Sequence, residues 1–582
     1  MEPVNLVEAL AISKQALPED THPLRTFLAC GFTPLHLQTF LAAHLRKRLP
    51  QQRVELKTGL FGDLAGSIER LPSSSCDVLA VVIEWQDLDP RLGIRSLGGW
   101  RAADLPEILK SANQAAARLE QALRRTSASI PVCICLPTLP LPPLFTTSTR
   151  QASAYELQLR QLVGSFAASI SSESSLRVLD LQRLDELSAP SARLDVQSEL
   201  MAGFPYKLPH ASAIAELLAA LIQNPTPKKG LITDLDDTLW AGILGEVGTE
   251  GISWDLDQHT HMHGLYQQFL GSLASAGVLL AVASKNDAAL VEKAFERKDL
   301  ILSKENIFPL EVHWSRKSES AQRILKTWNI APEAVVFIDD SPMEVAEVKA
   351  AFPEMECIVF PKNDYQAIFE LLKRMRDLFG KNVISEEDSI RLKSIREAGI
   401  LRESGNIPGR SLDDFLQEAD ASIRFAFGKQ AADNRAFELI NKTTQFNLNG
   451  KRLTEAAWKA YLNDPAAFVM TANYEDKFGP LGKIAVLLGR IQGKALRIES
   501  WVMSCRAFSR RIEHQTLKQL LEKFDAKEIS FDYQATPRNG PLQEFFAQLL
   551  GVAPTVDLRF SRATFSEKSP SLFHHVEEVV NG

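Results

Sequence analysis

The order of apolar and amphipathic segments divides the chain into three blocks. In the first, up to about residue 224, helical patterns such as PLHLQTFLAAHLRKRL alternate with the short apolar runs DVLAVVIEW, IPVCICLP and LRVLDL. In the second, up to about residue 380, helical segments separate the apolar runs GLITDLDDT, AGVLLAVAS and AVVFIDD. Such alternation is typical of parallel α/β sheets. We therefore predict two sheets in succession, joined by a linker at NPTPKKG, residues 224–230.

The third block has a different pattern. After a charged helical segment, SEEDSIRLKSIREAG, come the apolar stretches IRFAF, AAFVMTANYED, GKIAVLLGRI and ALRIESWVM, and then the amphipathic helix IEHQTLKQLLEKF. Strands that follow one another without intervening helices favour antiparallel pairing. We therefore expect an α+β domain over residues 381–582, after α/β domains over residues 1–224 and 225–380.

Composition and charge narrow the classes of function. The 582 residues are enough for several hydrophobic cores. There are 65 lysines and arginines against 72 acidic residues, and the net charge of −7 argues against a nucleic-acid partner. No apolar run approaches the roughly 18 residues of a membrane span, and the start, MEPVNLVEAL, lacks the features of a signal peptide. We expect a soluble, cytoplasmic protein with no membrane partner.

The cysteines and histidines give only weak metal signals. Six cysteines in so long a chain do not make a disulfide framework. Cys133 and Cys135 alternate within PVCICLP, and we favour packing in a buried strand over zinc binding. The segment HTHMH carries His259, His261 and His263, but no third metal ligand is evident beside a pair spaced by four residues. We therefore favour a solvated helix start there.

Two carboxylates follow the first strand of the second block, in DLDDT. Asp234, Asp236 and Thr238 stand at the carboxyl end of a parallel strand, where such sheets bind ligands. One carboxylate can attack phosphorus while its neighbour moves a proton to and from the leaving group. Oxygen ligands of this kind suit Mg²⁺, which can offset the charge of a phosphate.

Three further features follow in chain order. The strand AVAS ends at Ser284, whose hydroxyl can hold a phosphate oxygen. Lys317, in HWSRK, can neutralise charge on the nucleophile and on the transferred phosphoryl group. The strand FIDD ends with Asp339 and Asp340, the additional acids that a magnesium site needs.

This ordered set resembles the haloacid dehalogenase (HAD) superfamily of aspartate-nucleophile phosphotransferases over residues 230–365. The resemblance implies a Rossmann-like core, with Asp234 as nucleophile, Asp236 as acid and base, and Lys317 as the organising charge. It implies Mg²⁺ at Asp234, Asp236, Asp339 and Asp340, and phosphate or substrate binding by Thr238, Ser284, Lys285 and Asn286. The 47 residues between Asp236 and Ser284 leave room for a hairpin-like flap but no cap domain, which favours a substrate presented by a carrier.

Longer sequence motifs narrow the resemblance to one family within this superfamily. DLDDTLWAGILGEVG, ASKND, FIDDSPMEVAEV, NKTTQFNLNGKR, DKFGPLGKIAVL and SCRAFSRRIE resemble the FkbH-like proteins of polyketide biosynthesis, over residues 228–520. Members of that family take 1,3-bisphosphoglycerate and load a glyceryl unit onto an acyl carrier protein. A thiol displaces one phosphate, and the HAD centre removes the other. The resemblance implies a carrier protein with a phosphopantetheine arm as partner, and a small phosphorylated acyl donor.

The third block resembles the acetyltransferase (GNAT) fold. Cys505, beside Arg506, is the best thiol candidate, because nearby cations lower the pKa of a thiol; a buried structural cysteine is the alternative. The family pattern at this turn is approximately C-R-x-x-G-R-G-x-E, and Ser509 and Arg511 replace its glycines. A further departure is Ala283, where many members carry cysteine. Residues expected to bind a hydroxy acid or a pantetheine arm are Asn441, Lys442, Thr443 and Gln445; a polar helix end with a turn is the alternative.

The first block resembles an SGNH hydrolase. Thr33 stands where the nucleophile is expected and His210 follows late, but no orienting acid is evident. We therefore expect a degenerate scaffold that offers a docking surface to the carrier. For the whole chain, the leading hypothesis is an enzyme that forms a glyceryl thioester on a carrier protein. The alternatives are a Mg²⁺-dependent phosphatase of a small metabolite, and a non-catalytic assembly-line scaffold.

Overall fold

A computed structural model gives the structure of the chain. It describes residues 4–13, 23–72, 75–97, 100–143, 147, 150–381, 384, 388, 392, 395, 412–429, 433–477, 479–504, 507–508 and 510–579. The chain forms two compact units. The first comprises Met1–Pro225 and Leu453–Asn463, and the second comprises Thr226–Arg452 and Asp464–Gly582.

A parallel sheet lies at the centre of the first unit. Its strands are β1 (Leu24–Cys30), β2 (Val54–Thr58), β3 (Val78–Val82), β4 (Val132–Cys135) and β5 (Leu176–Val178). They lie in the order β2-β1-β3-β4-β5, with every pairing parallel. Its helices are α1 (Leu6–Ser13), α2 (Leu35–Arg48), α3 (Leu64–Glu69), α4 (Trp85–Leu88), α5 (Leu105–Ser127), α6 (Ala154–Ile170), α7 (Leu181–Leu187), α8 (Val196–Ala202) and α9 (Leu208–Gln223). Cys133 and Cys135 are buried in β4 within the apolar core, which confirms core packing.

The second unit contains a further parallel sheet. Its strands are β6 (Gly230–Thr233), β7 (Leu279–Ser284), β8 (Ile307–Val312), β9 (Val335–Asp339) and β10 (Glu356–Val359). They lie in the order β10-β9-β6-β7-β8, with every pairing parallel. Its helices are α10 (Leu244–Gly251), α11 (His261–Ser275), α12 (Ala288–Phe295), α13 (Lys317–Trp328), α14 (Pro342–Ala351) and α15 (Tyr365–Phe379). The two sheets confirm the predicted α/β class.

The strand order of this second sheet positions the site. β6 lies between β9 and β7, so the carboxyl ends of three adjacent strands meet at one edge of the sheet. The segment between β6 and α11 is closed by an antiparallel bridge between Ala241 and Ser253, with α10 between them. The expected hairpin-like flap is therefore built partly of helix.

The second unit also carries a mixed seven-stranded sheet. Its strands are β11 (Ser422–Phe427), β12 (Ala467–Asp476), β13 (Gly479–Gln492), β14 (Ala495–Met503), β15 (Glu528–Phe531), β16 (Arg559–Ser561) and β17 (His575–Val579). They lie in the order β16-β15-β14-β13-β12-β11-β17. The β11–β17 and β14–β15 pairs are parallel and the others antiparallel. Helices of this region are α16 (Leu412–Glu418), α17 (Asn434–Lys442), α18 (Glu455–Asn463), α19 (Ile512–Lys523), α20 (Gly540–Leu550) and α21 (Arg562–Lys568).

One of these helices, α18, belongs to the first unit although its neighbours in sequence belong to the second. Glu455 pairs with Arg177 of β5. The ammonium group of Lys459 donates to the hydroxyl of Ser175 at 3.2 Å, and Ala456 packs on the apolar core beneath the first sheet. Two distant parts of the sequence therefore complete one core.

The antiparallel stretches of the third block form strands as expected, around a core that includes the fully buried Trp501. Most of the predicted charged helical segment, SEEDSIRLKSIREAG, lies outside the described residues. Among the helices of the described ranges, none is long and apolar enough to cross a membrane.

Candidate active site at the carboxyl edge of the second sheet

Asp234 follows β6 directly and is buried, with 5% of its surface exposed. Its backbone N–H donates to the carbonyl of Ile338 on β9, which fixes the strand end. The ammonium group of Lys317 lies 2.9 Å from Oδ2 of Asp234. The other oxygen, Oδ1, is buried and has no hydrogen-bond partner among the described residues. An acceptor in that position is open to a metal ion or a substrate.

Asp339 ends β9 and shares the same lysine. Its Oδ2 lies 2.5 Å from Nζ of Lys317, and its Oδ1 accepts the backbone N–H of Ser341. Lys317 begins α13, so the fold of that helix delivers its side chain between the two carboxylates. Burial alone would lower the pKa of Lys317, but Asp234 and Asp339 together raise it. The lysine is therefore a fixed positive charge.

Asp340 completes a cluster that fits a hard metal ion. Carboxylate oxygens of Asp234, Asp339 and Asp340 all lie within 4.8 Å of one another. The unpartnered Oδ1 of Asp234 supplies an acceptor to such an ion. Oxygen ligands of this kind suit Mg²⁺ better than softer metals. The three residues therefore fit the expected Mg²⁺ site.

The side chain of Asp236 lies outside this three-residue cluster. Its Oδ1 accepts hydrogen bonds from Nε1 of Trp240 at 2.9 Å and from the N–H of Leu244 at 3.2 Å. Its Oδ2 accepts from Nδ2 of Asn286, again at 2.9 Å. These donors hold the carboxyl in place, whereas burial raises its pKa. The arrangement suits proton transfer, and the expectation that the Asp236 carboxylate also binds metal remains a prediction.

The pKa values of the buried carboxylates follow from their surroundings. Burial raises the pKa of Asp234, and Lys317 opposes that effect. Burial and the charge of Asp234 raise the pKa of Asp339 to about 7. A carboxylate cluster of this kind gains from added positive charge, which a divalent ion would supply.

The residues expected to bind phosphate have different surroundings. Ser284 ends β7 and is buried, and its hydroxyl lowers the pKa of Asp234. Thr238 is fully buried and its hydroxyl has no hydrogen-bond partner among the described residues. Asn286 binds Asp236, whereas the ammonium group of Lys285 is paired with Glu344 at 2.8 Å. Ser284 therefore acts on Asp234 and Asn286 on Asp236, whereas Lys285 is engaged with a different carboxylate; phosphate binding by these residues remains a prediction.

Two further residues support the site and were not predicted. Lys362 bridges Asp237 and Asp340, at 2.7 and 2.8 Å. His263 is buried, and its Nδ1 lies 2.9 Å from the carbonyl oxygen of Thr238. The predicted solvated helix start is confirmed for His259 and His261, which are exposed. It is wrong for His263, whose buried ring packs against Phe360. The only sequence signal for the role of His263 is its position at the start of a predicted helix.

The residues expected in the third block divide into two groups. Asn441, Lys442, Thr443 and Gln445 line a cavity at the opposite end of the second sheet. Cys505, Arg506 and Ser509 lie outside the described residues. Arg511, which stands where the family pattern has glycine, has φ of 58°. A glycine adopts this left-handed conformation without strain, which gives a backbone reason for the family pattern.

The expected hydrolase pair of the first unit is not assembled among the described residues. His210 is fully buried, with Nε2 2.9 Å from Oγ1 of Thr138 and Nδ1 2.9 Å from the hydroxyl of Ser188. The N–H of Thr33 donates instead to the carbonyl of Gly203. Burial lowers the pKa of His210 to about 3, so the ring is neutral. This arrangement favours the predicted structural role.

Comparison with solved structures identifies a similar fold. The N-terminal part of the protein BF1531 from Bacteroides fragilis, which contains a phosphatase domain and is complexed with Mg, is similar with 19% identity and a TM-score of 0.51. The match covers 65% of this chain and 100% of that one. At this identity the likeness establishes the fold alone.

Weaker structural matches come from a lipase and a phospholipase. An extracellular lipase from Streptomyces rimosus and phospholipase A1 from Streptomyces albidoflavus each show 11% identity and a TM-score of 0.25, over 35% of this chain and 100% and 98% of their own. These scores are too low to support an argument about function. No family model matches the chain, and no curated protein matches it.

Proposed function

We propose that the second sheet carries a Mg²⁺-dependent HAD-type phosphatase centre. The observation that supports it best is the environment of Asp234, which has a fixed cation on one oxygen and an open position on the other. A carboxylate nucleophile needs both features, because its charge must be balanced while one of its oxygens stays available.

The proposed reaction has two steps. In the first, an oxygen of Asp234 forms a bond to phosphorus as the bond from phosphorus to the leaving oxygen breaks, and Asp236 gives that oxygen its proton. In the second, water attacks the aspartyl phosphate while Asp236 takes a proton from it, which releases phosphate and restores both residues. Lys317 balances charge on Asp234 throughout. Mg²⁺ held by Asp234, Asp339 and Asp340 would reduce repulsion between carboxylate and phosphate.

We further propose that the physiological reaction forms a glyceryl thioester on an acyl carrier protein from 1,3-bisphosphoglycerate. The support is the resemblance of the phrases around Asp234, Asp339 and Asn441 to FkbH-like proteins. An acyl phosphate is already activated, so acyl transfer needs no ATP. Either Cys505 or the carrier thiol itself displaces the acyl phosphate, and the HAD centre removes the remaining phosphate.

Intact-protein mass spectrometry tests this proposal. A phosphopantetheinylated carrier protein is incubated with the chain, Mg²⁺ and 1,3-bisphosphoglycerate, and two different carriers are used. We expect a glyceryl mass increment without phosphate, and a Cys505→Ala variant distinguishes the covalent route from direct transfer. Absence of the increment on both carriers would contradict the acyl-transfer proposal.

A simpler phosphatase is favoured by one observation. The residues expected to bind the acyl group line a cavity that is separate from the carboxylate cluster. Phosphate release without acyl transfer would support this second function. Any turnover that depends on Asp234 would exclude a purely non-catalytic scaffold.

A further inference from the structure

A cavity of about 330 Å³ lies within the second unit, where the parallel sheet meets the mixed sheet. Residues at the start of β6 and β9, the end of α13 and the end of α17 form its walls. Ser504, which precedes the predicted thiol, also lines it. Its volume is at the lower end of the range for sites that bind small organic molecules.

The lining is strongly basic. Seven lysine and arginine residues line the cavity against three acidic residues. Several of these cations are paired, including Lys442 with Glu438 at 2.6 Å. Lys228 and Arg452 differ, because their hydrogen bonds within the described ranges go to main-chain carbonyls, of Glu333 for the lysine and of Ile440 and Thr443 for the arginine.

The electrostatic consequence appears in the pKa values of these two cations. Partial desolvation lowers the pKa of Lys228 and of Arg452, and for Arg452 the nearby charge of Arg538 lowers it further. A partly desolvated cation, like a cation close to a second one, is stabilised when an anion binds beside it. The cavity is therefore suited to a negatively charged ligand.

Gln445 adds a hydrogen-bonding requirement. Its Nε2 donates to Oδ1 of Asn329 at 3.1 Å, which fixes the orientation of the amide. Its Oε1 is buried and has no hydrogen-bond partner among the described residues. A buried acceptor without a donor is costly, and a ligand hydroxyl or amide N–H would satisfy it.

The cavity is distinct from the carboxylate cluster. Lys228 and Lys229 precede β6, whereas Asp234 follows it, and Ala334 precedes β9, whereas Asp339 ends it. At about 3.3 Å per residue, these strands separate the two sites by on the order of 15 Å. A molecule as small as 3-phosphoglycerate cannot occupy both sites at once.

We propose that this cavity is a second ligand site, which binds a small phosphorylated or carboxylated anion that also carries a hydroxyl or amide N–H. Arg452 and Lys228 would hold the anionic group, and Gln445 would accept from the donor. A free phosphorylated hydroxy acid and a phosphopantetheine arm share this chemistry. The proposal does not depend on phosphatase activity, because binding can be measured when Asp234 has been replaced.

Isothermal titration calorimetry of the full chain carrying Asp234→Asn, in EDTA, tests the proposal. The probes are 3-phosphoglycerate, phosphopantetheine and sulfate, which lacks a hydrogen-bond donor at neutral pH. In this background we expect Arg452→Gln and Lys228→Gln each to weaken binding by at least about tenfold, as for a lost charge-assisted hydrogen bond. The matched control is Arg374→Gln, which removes an exposed guanidinium paired with Glu356, and it should leave binding within about twofold.

Each result of the titrations supports or contradicts a different part of the proposal. Tighter binding of 3-phosphoglycerate would identify a free metabolite as the ligand, and tighter binding of phosphopantetheine would identify a carrier arm. Equal binding of sulfate would overturn the role given to Gln445. The proposal as a whole is overturned if neither organic probe binds, or if both cavity variants, with unchanged circular dichroism and melting temperature, behave like Arg374→Gln.

Discussion

Two buried carboxylates at strand ends, one in each unit, allow a direct comparison. Asp234 directly follows β6 and is 5% exposed, and Glu84 lies two residues after β3 and is 1% exposed. Burial raises the pKa of both. By position, burial and direction of pKa shift, the two residues are alike.

Their partners differ. Oε1 of Glu84 accepts from the hydroxyls of Thr138 and Tyr206, each at 2.7 Å, and Oε2 accepts from the N–H groups of Thr138 and Leu139, each at 3.2 Å. Asp234 has the cation of Lys317 on one oxygen and an open position on the other. Burial and a raised pKa are therefore shared by a structural and a candidate catalytic carboxylate. The open acceptor beside a fixed cation distinguishes them.

The largest expected effect comes from Asp234→Asn. Phosphate release should fall by at least about 10³-fold, because the amide cannot act as the nucleophile. Release of inorganic phosphate from phosphorylated hydroxy acids measures the effect. The matched change Glu84→Gln should leave turnover nearly unchanged, and equal losses in the two variants would remove the distinction between these carboxylates.

The next largest effect should come from removal of the metal, which should affect the site in the second unit. EDTA should abolish phosphate release, and added Mg²⁺ should restore it, because the cluster of Asp234, Asp339 and Asp340 carries more negative charge than Lys317 balances. Thermal unfolding with and without Mg²⁺ gives a second readout. Mg²⁺ should raise the melting temperature of the wild type and have less effect on Asp339→Asn. Full activity in EDTA would contradict the magnesium assignment.

Glu84→Ala should act on stability instead. The substitution leaves the buried hydroxyls of Thr138 and Tyr206 without their acceptor, which should cost on the order of 1–3 kcal/mol in free energy of unfolding. Urea unfolding followed by circular dichroism measures the loss. Phosphate release under native conditions serves as the internal control, and a loss of activity with unchanged stability would assign Glu84 a chemical role.

The most gradual expected effect is a pH dependence of the stability of the first unit. The pKa of His210 is about 3 in the folded chain against 6.5 for an unperturbed histidine. Below about pH 6.5 the unfolded state therefore binds a proton that the folded state refuses. Stability should fall by up to about 1.4 kcal/mol per pH unit as pH decreases from 6.5 toward 3. His210→Gln should show a shallower slope, and identical slopes would contradict the assignment.

The aspartates at the strand ends of the second sheet could largely be predicted from the sequence. Their identification requires only the strand pattern and the rule that the carboxyl ends of parallel strands meet at one edge of a sheet. The side-chain directions could not be predicted. Asp236 accepts hydrogen bonds from Trp240 and Asn286, and the following Asp237 adopts a left-handed conformation, with φ of 51°; no pattern of spacing encodes either feature. His263 was missed for a related reason, since its partner is a main-chain carbonyl 25 residues away.

In the third block, too, the sequence does not predict the partners of individual side chains. Asn441, Lys442, Thr443 and Gln445 of the motif NKTTQFNLNGKR were expected to bind ligand, and the two halves of the motif differ in the structure. Asn441 and Gln445 line the basic cavity, whereas the amide of Asn449 donates to the carbonyls of Glu499 and Asp532, at 3.0 Å each. Asn449 therefore ties β14 to the chain after β15. Sequence alone shows a polar run and does not show which amides the backbone uses.

The position of α18 has a consequence for how the protein is made. Because Glu455–Asn463 completes a core whose other residues lie between Phe27 and Leu181, the first unit cannot be finished on the ribosome until about residue 463 has emerged. Domains usually fold one after another from the N-terminus during synthesis. Here the second parallel sheet is synthesised in full before the first unit can close. A fragment that stops at Pro225 would lack a piece of its own interior, so the units are not separable at a single cut.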